Sequence, residues 1–407
     1  MCIGNYVQRT MTDKIKIINA VFIVALLAFN AFSVEANSAE IPGDLDIKFG
    51  GFIKINAALA QKGVNGIDDA SGTYNADLLF ADDNKGSRFG INAKETRLHA
   101  TFMRRDTPIG PIKAYVEGNF GAESNADGNS VEAYGSSNTR FVLRHAYVEA
   151  GNILIGQTIS TFIDPKSFLD ILDYGGNSAT TFARQPQVRY TGTYQDVSLR
   201  LAVENPTSNL GDYDVTDDQR MPDFVGRIDY DPDWGHFSVA GIVRELRIDN
   251  GTFEAHKLTG GVIVTASGEI IEDRLELVAQ YLRGGIGHYG AFSAFADGIV
   301  LEDEAGEKFI DPLKIQGVTV SATVRITDKL RSTFAGSWAE NIDTGNNQQK
   351  LGTDHSIENV KSFHANIFYD LTDYFMLGFE YKKLIGELDD DTKPDVDRFQ
   401  VSMIYSF

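Results

Sequence analysis

Polar and apolar residues alternate along most of this chain. In segment 45–60, for example, apolar Ile53 and Ile55 alternate with polar Lys54 and Asn56. A period of two places successive side chains on opposite faces of a β-strand. The alternation returns to the C-terminus in segments of about ten residues, the length that a tilted strand needs to cross a bilayer core. The pattern therefore predicts an all-β protein made of two-faced strands.

The connections between these segments alternate in length. Short, turn-like links occur at Thr107–Gly110, Gly151–Asn152, Gln195–Asp196, Asp231–Gly235, Gly268–Asp273, Thr327–Leu330 and Leu371–Asp373. Long polar segments separate them, at 62–88, 122–138, 159–185, 205–221, 249–255, 284–310, 342–356 and 386–396. This order predicts a transmembrane antiparallel β-barrel of about sixteen strands, with short periplasmic turns and long extracellular loops. A secreted β-sandwich gives no reason for long loops on every second connection.

The last segment, Phe399–Phe407, alternates apolar and polar residues and ends on an aromatic residue. Such a strand can place its final side chain in the aromatic girdle at a membrane–water interface. It also resembles the C-terminal signature by which outer-membrane barrels are recognised for assembly. We therefore predict a barrel over residues 45–407 that is recognised by the barrel-assembly machinery through the strand ending in Phe407.

Residues 1–36 have the pattern of a cleavable export signal. Lys14 and Lys16 precede an apolar run at 17–32, and small residues follow at signal-peptidase spacing. The run is too short and wrongly flanked for a membrane anchor, which is the alternative. We predict cleavage after residue 36, followed by a short N-terminal segment, 37–44. The start of translation stays open between the first two methionines of the sequence.

Composition and motifs exclude several classes of function. The formal net charge of −20 argues against nucleic acid as a partner. The sole cysteine, Cys2, lies in the predicted signal, which excludes disulfides, zinc–cysteine sites and cysteine catalysis in the mature chain. The sequence contains no G-x-S-x-G, H-E-x-x-H or phosphate-loop motif. We therefore predict no enzymatic activity, no cofactor and no bound metal.

Basic residues recur at the polar parity of the strands. Because a guanidinium facing lipid near mid-bilayer costs about 2–4 kcal/mol, these side chains are expected to point into the lumen. They are Lys48, Lys54, Arg97, Lys113, Arg189, Arg200, Arg227, Arg274, Arg325 and Arg331. There they form a charged track for solutes, or they pair with lumenal carboxylates such as Glu95, Glu117 and Glu204 and stiffen the wall. The sequence leaves both interpretations open.

The third long loop, 159–185, is more apolar than the others and includes Phe162, Phe168 and Leu172. We expect such a loop to fold into the lumen, where its charged residues face wall arginines at the narrowest point. The alternative is a loop across the barrel mouth or at a subunit contact. The predicted pore-lining and constriction residues are Arg97, Arg144, Asp164, Lys166, Asp170, Asp173, Arg184, Arg189, Arg200 and Arg227.

Three stretches in this region resemble the dicarboxylate-channel porins of the DcaP-like type. They are Leu143–Glu149, Gly156–Pro165 and Arg184–Thr191. The resemblance implies a homotrimeric barrel channel with an inward third loop and a positively charged constriction that passes small carboxylates.

The same resemblance assigns lumen roles to Arg184 and Arg189, and also to Arg144. In one respect the chain departs from that type. Its members can carry an N-terminal helical extension before the barrel, and residues 37–44 are too short to supply one. The implied trimer is therefore less directly supported than the barrel.

Together these features predict a passive diffusion porin of the bacterial outer membrane, surrounded by lipid and lipopolysaccharide, that favours small anionic solutes such as dicarboxylates. The acidic loops and the total charge motivate an alternative, a general or cation-preferring porin. A structural or receptor barrel with little conductance is a second alternative, in which the third loop is a plug. A reversal potential in a salt gradient separates the first two, and the absence of single-channel steps would support the third.

Overall fold

The computed structural model describes residues 45–61, 87–122, 139–210, 219–290, 295–342, 357–388 and 391–407. The predicted export signal, the segment 37–44 and most of the predicted loops 62–88, 122–138 and 342–356 lie outside the described residues. The described chain forms one compact unit over Asp46–Phe407. Among these residues, no helix has the length and apolar character needed to cross a membrane.

Nearly all of the described chain is β-strand. The strands are β1 Leu45–Ala60, β2 Arg88–Asn92, β3 Arg97–Arg104, β4 Ile112–Ala122, β5 Thr139–Ala150, β6 Ile153–Ile159, β7 Arg184–Tyr194, β8 Val197–Glu204, β9 Asp223–Tyr230, β10 His236–Asp249, β11 Glu254–Ile271, β12 Leu275–Gly284, β13 Gly298–Glu302, β14 Lys308–Pro312, β15 Ile315–Thr327, β16 Leu330–Asn341, β17 Ile357–Thr372, β18 Phe375–Leu388 and β19 Asp395–Ser406. In the described ranges, a 17-membered sheet contains all of them except β13 and β14, which pair with each other. Because β2 and β3 are two halves of one crossing, the barrel has 16 strands.

The barrel closes where the first strand meets the last. β1 and β19 are antiparallel, with Phe52 opposite Ser406 and Ala60 opposite Arg398. Beyond this ladder, Gly51 and Phe407 exchange two backbone hydrogen bonds of 3.1 Å each. A closed sheet has no free edge, which is the condition for a β-structure in lipid. The structure thus confirms the predicted antiparallel barrel and its strand number.

The strand faces follow the alternation of the sequence. On β7 and β8, Val188 and Leu201 point outward and are 51% and 50% exposed, whereas Gln187 and Ala202 point inward and are 4% and 6% exposed. An apolar outer surface with a polar interior is the reverse of a water-soluble protein and matches a barrel in a bilayer. Aromatic side chains such as Trp234, which packs edge-on against Phe237, mark the short-turn end as an interfacial girdle.

Two predicted connections differ from the structure in detail. β11 continues through the predicted turn Gly268–Asp273 as far as Ile271, because Ile271 still pairs with Leu275 after a β-bulge. The predicted loop 284–310 contains the β13–β14 hairpin, whose turn has Gly306 in the left-handed region at φ +82°. Ile310 of this hairpin belongs to a buried cluster with residues near the end of β10 and the start of β11.

Deleting Phe407 is expected to lower the yield of folded barrel, because Gly51 loses both backbone partners at the seam. Each lost hydrogen bond contributes about 0.5–1.5 kcal/mol. Refolding into detergent, scored by the heat-dependent shift on an unboiled gel, measures the seam apart from cellular assembly. Phe407→Ala is the matched control, since its backbone bonds remain and its side chain is 56% exposed. Equal refolding of the deletion and the wild type would contradict this account.

Candidate functional site

Loop 3, residues 160–183 between β6 and β7, folds into the barrel. Its side chains Phe162, Ile163 and Leu172 are fully buried at 0% exposure. Phe162 and Ile163 belong to one apolar cluster with inward wall residues such as Ile263 and Ile315. The loop enters the lumen because its apolar side chains lose water-exposed area there, at roughly 25 cal/mol for each Å² removed from water.

The first half of loop 3 is fastened to β8–β10. The Thr161 amide donates to Glu204 Oε1 at 2.6 Å, and Arg227 donates to the carbonyl oxygens of Thr161 and Ile163. Arg227 is also paired with Asp229, at 3.1 Å. These contacts satisfy the backbone of an irregular segment that has no strand partner, as a buried loop requires.

A short 3-10 helix, Pro165–Ser167, follows, with Asp164 as its N-cap. Asp164 Oδ2 lies 2.8 Å from His236 Nε2, and Lys166 pairs with Asp231 in the turn between β9 and β10. Burial alone would raise the pKa of Asp164, but hydrogen bonds from His236 and the Lys166 amide bring it below its usual range. Asp164 and Lys166 therefore fasten loop 3 to the wall at the short-turn end of the barrel.

The middle of loop 3 is fastened to the opposite strands. Asp173 accepts from Lys382 Nζ at 2.7 Å and from Arg398 Nη1 at 2.6 Å. Lys54 Nζ donates to the Leu172 carbonyl at 2.6 Å, and Glu380 accepts from the Leu172 amide at 2.7 Å. Burial works against the Asp173 charge, but the two cations hold its pKa well below the usual range. Asp173 thus stays ionised and keeps loop 3 in place.

Asp170 has a third set of partners. Its carboxylate accepts from Arg331 Nε at 2.6 Å, and Arg331 also pairs with Asp370 at 3.1 Å. This group borders a second, smaller cavity near the short-turn end. Asp170 therefore lies on the side of loop 3 that faces the short-turn end of the barrel.

Loop 6, residues 285–314, holds loop 3 from the other side. The Tyr289 ring packs edge-on against Phe162 with centroids 5.6 Å apart, and the Tyr289 carbonyl accepts from the Phe182 amide at 3.1 Å. Loop 6 is itself tied to the wall by a fully buried ion pair, Arg244 with Asp297, at 2.7 Å. Loop 3 and loop 6 thus contact and stabilise each other inside the barrel.

Loop 3 leaves a cavity of about 470 Å³ against one arc of the wall, called here the loop-3 cavity. Wall strands β3–β7 supply one side of it and loop 3 supplies the other. Its lining residues with titratable or aromatic side chains are Glu95, Arg97, Glu117, Arg144, His145, Phe168, Asp173, Tyr174, Phe182 and Arg184. The cavity therefore combines several charges with aromatic surface.

The carboxylates of the loop-3 cavity are all paired. Glu95 lies 2.6 Å from Lys54 Nζ, and Glu117 lies 2.8 Å from Arg144 Nε. Asp173 has its two cationic partners. Among the described residues, Arg97 and Arg184 have no carboxylate within salt-bridge distance, and their Nε atoms are buried without a hydrogen-bond partner. The described lining of the cavity therefore contains two arginines that form no ion pair.

The structure divides the predicted constriction residues into groups. Arg97, Arg144, Asp173 and Arg184 line the loop-3 cavity. Arg189, Arg200 and Arg227 lie beside one another on β7, β8 and β9, where Arg200 and Arg227 share Asp229. Asp164, Lys166 and Asp170 fasten loop 3 to the wall, as described above. The pore-lining role of each residue stays a prediction.

Parity alone does not place Arg144 in the lumen. It shares its parity with Val148, which points outward and is 47% exposed. A β-bulge at Glu117/Gly118 gives β5 one extra residue, so that Arg144 and His145 both face inward. Tyr174 and Phe182 were also missed as site residues, since an aromatic residue in a loop signals packing as readily as binding.

One described group has metal-type ligand atoms. Asp164, Asp229 and His236 bring one ligand atom each within 4.8 Å of one another. However, Asp229 is paired with Arg200 and Arg227, and His236 bridges Asp164 and Asp231. With these cations beside it, the group fits an ion-pair network that joins loop 3 to the wall.

Comparison with known proteins gives a consistent picture. A family model described as "Porin subfamily" matches residues 36–403. The outer membrane channel DcaP of Acinetobacter baumannii has a similar structure, with a TM-score of 0.74 and 22% identity over 92% of this chain and 100% of that one. An anion-selective porin from Comamonas acidovorans has a TM-score of 0.56 and 11% identity over 89% and 100% of the two chains.

The trimer form of OmpT of Vibrio cholerae is similar as well. Its TM-score is 0.55, with 11% identity over 89% of this chain and 99% of that one. None of the curated protein sequences compared matches this chain. At these identities, the structural likenesses establish the fold of the barrel.

Gly378→Ala is expected to displace loop 3, because an added Cβ on β18 would lie 2.7 Å from a Leu172 methyl carbon. Overpacking of this kind costs about 1–3 kcal/mol. We expect loop 3 to move away from β18 into the lumen, so single-channel conductance should fall while the heat shift of the barrel persists. Gly336→Ala is the control, since nothing lies within 4 Å of its Cβ position. Equal conductance of the two variants would show that loop 3 is not seated at Gly378.

Proposed function

This chain belongs to the porin subfamily and forms an outer-membrane channel, and from the charge of its loop-3 cavity we propose that it favours small anions, among them dicarboxylates. One observation carries the proposal. Arg97 and Arg184 face the cavity without a carboxylate partner among the described residues, while Glu95, Glu117 and Asp173 are each neutralised by a nearby cation.

The total charge of the chain does not oppose this preference. Charges separated by more than a Debye length, about 8 Å at physiological ionic strength, are largely screened. A solute in the cavity therefore responds mainly to the charges that line it. At about 4 Å and an effective dielectric constant near 20, one unpaired guanidinium attracts a carboxylate by roughly 4 kcal/mol before desolvation. Desolvation offsets much of this attraction, which leaves binding weak enough for release.

The cavity also has the form that a small dicarboxylate requires. Its volume of about 470 Å³ lies within the usual range for small-molecule sites, roughly 300–1,000 Å³. A guanidinium presents its N–H groups in a planar fork that matches a carboxylate in bidentate fashion. Arg97 and Arg184 line the same cavity from different strands, and we propose that each receives one carboxylate of the same solute. Passage is then a sequence of weak contacts along a charged wall.

The assembly and export proposals rest on other features. The trimer form of OmpT has the same fold, and we propose that this chain is also a homotrimer. We propose further that residues 1–36 are the export signal, that lipid and lipopolysaccharide surround the outer belt, and that the assembly machinery recognises the strand ending in Phe407. Chemical crosslinking of intact outer membranes, followed by a gel, tests the trimer.

A cation-preferring general porin is the second candidate. It is favoured by the smaller cavity near the short-turn end, where carboxylates outnumber arginines. The charged residues that line that cavity are Asp170, Glu276, Asp328, Asp370, Arg325 and Arg331. If this smaller cavity controlled selectivity, the reversal potential in a potassium chloride gradient would indicate cation preference. We favour the anion preference because the loop-3 cavity lies between the wall and an inward loop and contains arginines that no described carboxylate neutralises.

The double substitution Arg97→Gln/Arg184→Gln is expected to lower the anion-over-cation permeability ratio roughly threefold to tenfold, which corresponds to about 0.7–1.4 kcal/mol of lost attraction. Succinate flux into liposomes should fall with it, while the barrel stays folded because lumen positions affect selectivity more than stability. Arg325→Gln is the matched control, since Arg325 lies outside the loop-3 cavity and is already paired with Glu269, at 2.7 Å. An unchanged ratio in the folded double variant would overturn the anion preference in favour of the general porin.

A further inference from the structure

The two unpaired arginines of the loop-3 cavity are held by aromatic rings. Arg97 Cζ lies 4.9 Å from the ring centroid of Tyr174 and 5.4 Å from that of Phe52. Arg184 Cζ lies 4.4 Å from the ring centroid of Phe182. Tyr174 and Phe182 both belong to loop 3, near its middle and at its end. Loop 3 therefore contacts both arginines through the faces of aromatic side chains.

Arg144 and Arg331 differ because carboxylates engage them, although Arg331 Cζ also lies 4.4 Å from the ring centroid of Phe368. Arg144 donates Nε to Glu117, and Arg331 donates to Asp170 and Asp370. In such ion pairs the carboxylate occupies the N–H groups that a permeating anion would need. These guanidiniums are neutralised as well as fixed, and the solute gains little from them.

Stacking fixes a guanidinium without using its donors. A ring attracts the cation through its negative face, whereas the N–H groups lie in the guanidinium plane and point outward from its edges. The attraction is worth about 0.5–2 kcal/mol, depending on exposure. A stacked arginine is therefore oriented, retains its full charge and keeps its edge free for a carboxylate.

We propose that Tyr174 and Phe182 determine the carboxylate specificity of this channel by positioning Arg97 and Arg184 through stacking, so that the Nη groups of both guanidiniums remain available to the solute. This inference rests on the proposed anion preference. It assigns loop 3 a second role as the carrier of aromatic supports, besides the carboxylates Asp170 and Asp173 that pair with wall cations.

Tyr174 is well placed for this role. It follows Asp173, whose two ion pairs fix the backbone. Its ring packs edge-on against Phe52 at 6.2 Å, and Lys54 Nζ lies 3.3 Å from its centroid. Burial raises the pKa of the Tyr174 hydroxyl to about 12, so the ring carries no charge that would neutralise Arg97 at neutral pH. The ring is thus a rigid, uncharged support.

The test compares Tyr174→Leu with Tyr174→Phe in planar bilayers, using chloride as the current carrier and succinate as the probe. Tyr174→Leu removes the ring, so the succinate concentration that halves the chloride current should rise at least threefold. Tyr174→Phe keeps the ring and should stay within a factor of about 1.5 of wild type. Chloride conductance should change less than twofold in both, and an unchanged heat shift confirms folding. Phe182→Leu should weaken succinate block in the same way.

A double-variant cycle tests whether the ring acts through Arg97. Arg97→Lys keeps the charge but loses the planar fork, so it should weaken succinate block in the wild-type background and add little in the Tyr174→Leu background. If the two effects multiply as independent factors, Tyr174 does not act through Arg97 and the proposal is wrong.

The remaining outcomes separate this inference from the proposed function. If Tyr174→Leu leaves succinate block unchanged while Arg97→Gln/Arg184→Gln reduces anion preference, the stacking inference fails and the anion channel stands. Should Tyr174→Phe weaken block as much as Tyr174→Leu, the hydroxyl matters and the ring does not, which also overturns the inference. If neither the arginine nor the aromatic variants have any effect, both proposals fall.

Discussion

The structure depends on one constraint, which is that no backbone N–H or C=O group can remain unpaired within a hydrocarbon layer. Water cannot satisfy a strand edge there, and each unpaired group costs several kcal/mol. The sheet must therefore close, and the pairing of β1 with β19, extended by Gly51 and Phe407, completes it. Closure creates an interior, and every functional feature of this chain follows from what fills that interior.

Loop 3 folds into it, and its backbone faces the same constraint as the strands. Its peptide groups have no ladder partner, so wall side chains such as Glu204, Arg227 and Glu380 satisfy them. Its carboxylates are neutralised by wall cations, as Asp173 is by Lys382 and Arg398. Most lumen charges are thus used for holding the loop. The few that are left over define the electrostatic character of the passage.

This explains which features the sequence could predict. The period of two and the alternating loop lengths are local patterns, so the barrel and its strand number follow from them, and the inward loop follows from its unusual apolar content. The partners of Asp173 lie 209 and 225 positions away, and no local pattern indicates such a pairing. The inward orientation of Arg144 depends on a β-bulge, which the alternation of polar and apolar residues does not reveal. The hairpin in loop 6 was missed because its two strands are short and lie in a segment dominated by turn residues.

The position of loop 3 also divides the inner wall into two kinds of surface. Inward residues from β9 to β19 are mostly buried, and Thr265, Thr319 and His364 are only 0–3% exposed, whereas those of β3–β5 are mostly half-exposed. Along the first arc, the inside of the barrel obeys the packing rules of a protein core, in which one methylene group matters. Along the second arc, the inner wall is a partly exposed surface. Substitutions should therefore accumulate slowly on one side of the lumen and rapidly on the other, and new solute preferences would arise on the arc from β3 to β5 without disturbing the fold.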